Sequence, residues 1–266
     1  MQTAKVFRMR HACCAIAVLV LRLARLLDSS DGSCGCGAVC ASRAMAFGSA
    51  ALFVFAGQTC SVEHHGASLE QTARQVRAAA AESGVVLVET HLCFAPESTQ
   101  RIWARYSPTA SEVEAHGGSW WAAERSTCSV PALAADLSAS CGEAWALMED
   151  AARRVGRVLL VGFSNGAIPA TEFATTHPDK VLALLLLSGI PAAAQQRWVL
   201  DGHKSCPPVS LTLGSRESYF GGRPAFHTVA LAFRAPVFDF EGGHCGENDA
   251  VVSLATRDAL KRAFPC

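Results

Sequence analysis

Short, almost purely apolar runs alternate along this chain with segments whose apolar residues recur every three or four positions. Residues 51–56 (Ala-Leu-Phe-Val-Phe-Ala) form an uninterrupted apolar run ended by Gly57, the mark of a strand buried on both faces. Further strands are predicted over 85–89, 157–161, 181–187, 209–213 and 236–240. Helical patterns lie between them. Over 68–82, Leu69, Ala73, Val76 and Ala80 share one face, and Gly84 follows as a stop. Over 131–154, Leu133, Leu137, Cys141, Trp145 and Met148 make one stripe, and Arg153 and Arg154 suit the negative end of a helix. A helix reaching about residue 176 is ended by His177-Pro178. A closing helix is predicted over 247–264, with Val251, Leu254 and Leu260 facing inward. Residues 91–128 read as one long irregular stretch, a loop length that in a compact domain usually carries function.

Strands separated by helices predict an α/β fold: a mostly parallel, doubly wound sheet with helices on both faces. Ligands on such a sheet bind at the carboxyl ends of its strands. A chain of 266 residues can bury one large core, so a single catalytic domain is expected over 45–266. Residues 1–44 differ from the rest. Lys5, Arg8 and Arg10 precede the apolar run 12–21, Arg22 and Arg25 follow it, and no acidic residue occurs before Asp28. That run is shorter than the roughly 20 residues of a membrane span, so no stable span is expected. The segment is compatible with a secretory or organelle-targeting peptide, and equally with a non-functional extension ahead of Met45; without targeting, the compartment would be cytoplasmic.

Lysine plus arginine number 23 and aspartate plus glutamate 23, so the net charge is zero and no nucleic-acid partner is expected. The 12 cysteines leave the compartment open. Cys34, Cys36 and Cys40 cluster in a glycine-rich stretch, but no matching second half follows, so no metal site is expected. The remaining cysteines are scattered, which suits buried free thiols and leaves disulfides open.

The chemistry concentrates after the 157–161 strand, in Gly162-Phe163-Ser164-Asn165-Gly166, which a helix-compatible segment follows. Strand, sharp turn and helix are the setting in which Gly-x-Ser-x-Gly lifts a serine hydroxyl clear of its neighbours. The two glycines stand where a Cβ would strike the adjoining strand or helix. Ser164 is therefore the candidate nucleophile. A serine needs a base, and the base an orienting carboxylate. His244 follows the last strand in Glu241-Gly242-Gly243-His244, ahead of the last helix. Eight other histidines compete, but His64, His65 and His91 precede the serine, contrary to the order serine, acid, histidine, and His177 sits at a helix end. Glu217, in Gly214-Ser215-Arg216-Glu217 after the 209–213 strand, is the candidate acid; Asp239, Glu241 and Asp249 are its rivals. Two backbone N–H groups should hold the oxyanion, one from Asn165 and one from Gln58 in the loop after the first strand.

Over about residues 50–264 this pattern resembles the α/β-hydrolase superfamily, in particular its small carboxylesterase and acyl-protein thioesterase-like branch. Trp120-Trp121 ahead of the 131–154 helix also resembles that branch. Two features depart from it: Ala56-Gly57 stands where His-Gly is usual, and the acid is Glu rather than Asp. The resemblance implies an α/β-hydrolase fold and hydrolysis of a carboxylic ester or thioester through an acyl-enzyme, with no metal or organic cofactor. The substrate is then a small or acylated molecule. Phe94, Trp103, Trp120 and Trp121 are candidates for an apolar acyl pocket. Acyl transfer or peptide cleavage on the same residues, and a non-catalytic binding protein on this scaffold, are the alternatives.

Overall fold

The computed structural model describes residues 6–8, 48–57, 62–93, 130–202, 204–218, 220, 222–244 and 246–264. Among these residues, seven strands form one sheet: β1 (Val6–Arg8), β2 (Gly48–Phe55), β3 (Val85–Cys93), β4 (Arg157–Phe163), β5 (Val181–Leu187), β6 (Val209–Gly214) and β7 (Val237–Phe240). Their order across the sheet is β1-β3-β2-β4-β5-β6-β7. The six strands from β3 to β7 pair in parallel, and β1 pairs antiparallel with β3 at the edge, Val6 opposite Cys93 and Arg8 opposite His91. The strands that read as continuous apolar runs are the central ones: every residue of β5 is buried, and so are residues 50–55 of β2.

Among the described residues, six helices flank the sheet: α1 (Val62–Glu82), α2 (Val130–Val155), α3 (Ala167–Thr176), α4 (Ala193–Leu200), α5 (Gly222–Phe233) and α6 (Asp249–Ala263). On one face Leu69, Ala73, Val76 and Ala80 of α1 and Val251, Val252 and Leu260 of α6 pack on Leu52, Val54, Leu159 and Leu185. On the other, Met148 and Ala151 of α2, Phe173 of α3 and Phe226 and Val229 of α5 pack on Phe53, Phe55, Leu160 and Leu184. The fold is thus the expected parallel sheet with helices on both faces.

Several boundaries move. Helix α1 begins at Val62 rather than residue 68. Strand β3 continues past residue 89 to Cys93, because Thr90, His91, Leu92 and Cys93 keep register with β2 (Leu52 to Phe55) and are all buried; the rest of the 91–128 stretch read as a loop lies outside the described residues. Helices α4 and α5 are additions to the expected elements. Leu254 does not face inward: it is 48 % exposed. The buried face of α6 runs through Val251, Val252, Ala255, Thr256, Ala259 and Leu260, and Leu254 falls on the opposite side of the 3.6-residue turn. Finally, Val6–Arg8, within the segment read as an extension, forms the edge strand β1.

The chain lays β3 on one side of β2 and then crosses to lay β4 on the other. The carboxyl ends of β2 and β4 therefore flank the point where strand order reverses, the place where such sheets leave a crevice.

Candidate active site

Ser164 stands at the carboxyl end of β4 with φ +50°, the left-handed region that side chains other than glycine rarely enter. A single 3-10 turn, Ser164–Gly166, leads directly into α3, and no side chain caps its amino end. The two glycines have a steric reason. A Cβ on Gly162 would lie 2.6 Å from Ala167 Cα, inside the following helix; a Cβ on Gly166 would strike the Phe55 carbonyl of β2 and stand 2.8 Å from the Ala56 oxygen. Strand, turn and helix are thus pressed together around the serine. Pro169 sits in the first turn of α3, where its missing N–H costs little. Gly57, at the end of β2, is equally close: a Cβ there would be 2.8 Å from the Ser164 Cβ. So the Ala56-Gly57 departure keeps the one residue that the approach of the two strands requires.

The loops after β6 and β7 are zipped together beyond the sheet. Ser215 N–H donates to the Phe240 carbonyl (2.9 Å) and Arg216 N–H to that of Gly242 (2.8 Å). A Cβ on Gly214 would lie 2.8 Å from both the Gly242 and Gly243 oxygens, so only glycine lets the two loops lie this close. The zipper carries Glu217 on one side and His244 on the other. His244 Nδ1 lies 2.6 Å from Glu217 Oε2, and His244 Nε2 lies 2.8 Å from Ser164 Oγ. Ser164 and Glu217 are buried, at 8 % and 9 % exposure. Phe220 packs its ring edge-on against the imidazole, centroids 5.4 Å apart. No pattern in the sequence marks Phe220, since an isolated aromatic after a turn carries no periodic signal.

The three side chains picked from the sequence therefore lie in one hydrogen-bonded line. The rival carboxylates lie elsewhere: Asp239 pairs with Arg223 (2.8 Å) at the surface, Glu241 is exposed, and Asp249 accepts from Gln71 (3.1 Å). His177 stands 3.1 Å from Glu149 and stacks on Phe173; His91 is buried in β3, stacked on Phe53. Asn165 is buried in the turn directly after Ser164. Gln58, Phe94, Trp103, Trp120 and Trp121 lie outside the described residues, as do Cys34, Cys36 and Cys40.

One acidic residue near this line escaped the sequence pattern. Glu247, three residues past His244, turns inward, and its Oε1 accepts from the Thr212 hydroxyl at 3.0 Å. Burial pushes its pKa up; the Ser188 hydroxyl, its own backbone N–H, Thr212 and the charge of His244 oppose that rise without cancelling it.

Among the described residues no three histidine, cysteine or carboxylate side chains gather as metal ligands, and no helix is long and apolar enough to cross a membrane. Cys93, Cys141 and Cys206 are free thiols. Burial pushes the Cys93 thiol far above its ordinary range and Cys206 up to about 12, so neither supplies the thiolate that nucleophilic chemistry needs.

The reversal of strand order between β2 and β4, the elbow after β4 and a histidine loop leading into the last helix together define an α/β-hydrolase fold. No family model matches the chain, and no curated protein matches it. Solved structures do. Esterase PE8 is 18 % identical, with 78 % of this chain and 89 % of that chain covered at a TM-score of 0.49. A carboxylesterase from Mesorhizobium loti is 16 % identical, with 79 % and 88 % covered at 0.45. The Bacillus cereus carboxylesterase is 12 % identical, with 81 % and 89 % covered at 0.45.

Proposed function

We propose that the protein is a serine hydrolase that cleaves a carboxylic ester or thioester through an acyl-enzyme. The observation that carries this reading is the unbroken line from Ser164 Oγ through both nitrogens of His244 to Glu217, at 2.8 and 2.6 Å. With the proton on Nδ1, His244 donates to Glu217 and its Nε2 accepts from the serine hydroxyl. Ser164 Oγ attacks the substrate carbonyl carbon while its proton passes to Nε2. The imidazolium so formed faces the Glu217 carboxylate, which stabilises the charge and fixes the ring. The C–O or C–S bond breaks as Nε2 returns the proton to the leaving alcohol or thiol. Water then enters, gives its proton to Nε2, and releases the acid by the reverse sequence.

The tetrahedral oxygen carries negative charge in both halves. The backbone N–H of Asn165, at the uncapped amino end of the turn, is placed next to the attacking atom in sequence and receives that charge together with the N–H of Gln58. Gly57 supports this assignment, because it lies against Ser164 and directly precedes Gln58 in the sequence. The chemistry consumes only substrate and water.

The test is covalent. A fluorophosphonate should modify the protein once, at Ser164, located by peptide mass spectrometry, and Ser164→Ala should take no label. The same preparation should hydrolyse a short-chain p-nitrophenyl ester. Folded protein that neither labels nor turns over such an ester would leave the binding-protein alternative standing instead.

A further inference from the structure

The site holds a second buried polar line that the proposed chemistry does not use. Ser188, directly after β5, is fully buried and holds φ +43°, a strained conformation for a serine. Its backbone N–H donates to the Thr212 Oγ1 in β6 at 3.0 Å, and that hydroxyl in turn donates to Glu247 Oε1 at 3.0 Å. The Ser188 hydroxyl lies beside the same carboxyl, near enough to favour its charged form but outside hydrogen-bonding geometry. Glu247 belongs to the segment between β7 and α6 that carries His244. At the other end, Gly189 follows Ser188 and packs so tightly on the elbow that a Cβ would stand 2.9 Å from the Ser164 nitrogen. One buried connection thus runs from the backbone of the serine, through Ser188 and Thr212, to the loop of the histidine.

We propose that Ser188, Thr212 and Glu247 form a positioning relay that holds the His244 loop in register with the Ser164 elbow. The inference rests on the hydrolase reading above for its consequence, but not for its geometry. Strands β5 and β6 fix the first two members, and Glu247 is the grip by which the loop is pulled onto them. Thr212 is the joint: its single hydroxyl accepts from Ser188 and donates to Glu247, so it alone makes both contacts. A carboxyl desolvated without partners would be expelled, whereas one met by a buried hydroxyl stays and carries its loop with it. The payoff is placement, since a misplacement of about an ångström between Oγ and Nε2 can slow proton transfer about a hundredfold.

Thr212→Val removes the hydroxyl at nearly constant shape. On the full chain, kcat for a p-nitrophenyl ester should fall roughly tenfold to a hundredfold, with KM within about twofold and cooperative melting retained. Thr212→Ser should recover most of the loss. Glu247→Gln, which keeps an acceptor for the hydroxyl, should lose less than Glu247→Leu. A readout free of turnover runs in parallel: the downfield imidazole Nδ1 proton, assigned by its disappearance in His244→Gln, should broaden or vanish in Thr212→Val and return in Thr212→Ser. An unchanged resonance and kcat in folded Thr212→Val overturns the relay, as does a loss that Thr212→Ser fails to repair. Wild-type protein inert toward ester and fluorophosphonate, yet losing the resonance in Thr212→Val, overturns the hydrolase reading and leaves the relay intact.

Discussion

Gly189, just beyond the end of β5, leaves no room for a side chain beside the backbone of Ser164: an added Cβ would strike the serine carbonyl oxygen and lie 2.9 Å from its nitrogen. Both obstacles are backbone, anchored in β4 and the turn, so no side chain can rotate away. Gly189→Ala must part the ends of β4 and β5 or push the serine out of its strained position. Overpacking of this kind costs about 1–3 kcal/mol. The variant should melt lower than wild type and lose kcat more than its remaining stability explains. A Gly189→Ala protein with wild-type melting and kcat would mean that the elbow yields freely.

Ser164 itself holds φ +50°. For an L-residue that conformation costs about 1–2 kcal/mol, and glycine escapes it. Ser164→Ala keeps the strain and Ser164→Gly relieves it, so the glycine variant should melt higher than the alanine variant by about 2–4 °C. Both should be inactive. Equal melting temperatures would show that packing around the elbow, not the dihedral, sets the local stability.

Much of this arrangement was legible because close packing demands glycine at fixed places. Gly162 and Gly166 flank the serine since the adjoining helix and strand leave no room, and a histidine after the last strand follows from sheet topology. The relay was not legible. Ser188, Thr212 and Glu247 are spread over three elements, and a threonine inside a strand reads as strand propensity rather than as a joint. Helix α4 was hidden for a related reason. Gln195 and Gln196 are buried, and Gln195 serves both the Ala192 N–H and the Ile168 carbonyl, so polar residues occupy inward positions and break the apolar period. Helix α5 has a clear inward stripe in Ala225, Phe226, Val229, Ala232 and Phe233, but Gly222 and Pro224 at its start imitate a turn. The extension of β3 through Thr90 and His91 was masked by their polarity, which burial beside β2 overrides.

Glu217 accepts at 2.6 Å from His244 Nδ1 and is buried. Glu217→Gln offers an amide that can donate where an acceptor is needed, which favours the wrong imidazole tautomer. The expected loss is on the order of 10³- to 10⁴-fold in kcat, with little change in KM. Glu217→Asp keeps the charge but withdraws it by one methylene, so it should fall between wild type and Glu217→Gln. Steady-state kinetics of the three proteins decide it; if Glu217→Gln costs less than about tenfold, another group orients His244.

Glu247 makes stability depend on pH in a direction opposite to that of most paired carboxylates. Burial raises its pKa in the folded protein above the ordinary 4.5, and the His244 charge only partly restrains the rise. Below pH 4.5 the carboxyl is neutral in both folded and unfolded chains, and the fold has the full benefit of a neutral group in a dry place. As the pH climbs, the unfolded chain ionises first, so stability falls until the folded carboxyl ionises too, and then levels off. Glutamine cannot ionise. The melting temperature of Glu247→Gln minus that of wild type should therefore grow from about pH 4 toward neutrality and reach a plateau above the folded pKa. Melting curves recorded in parallel across that range check the sign. A difference that stays flat means Glu247 ionises alike in both states, and one that shrinks means that its charge, not its neutral form, is what the fold prefers.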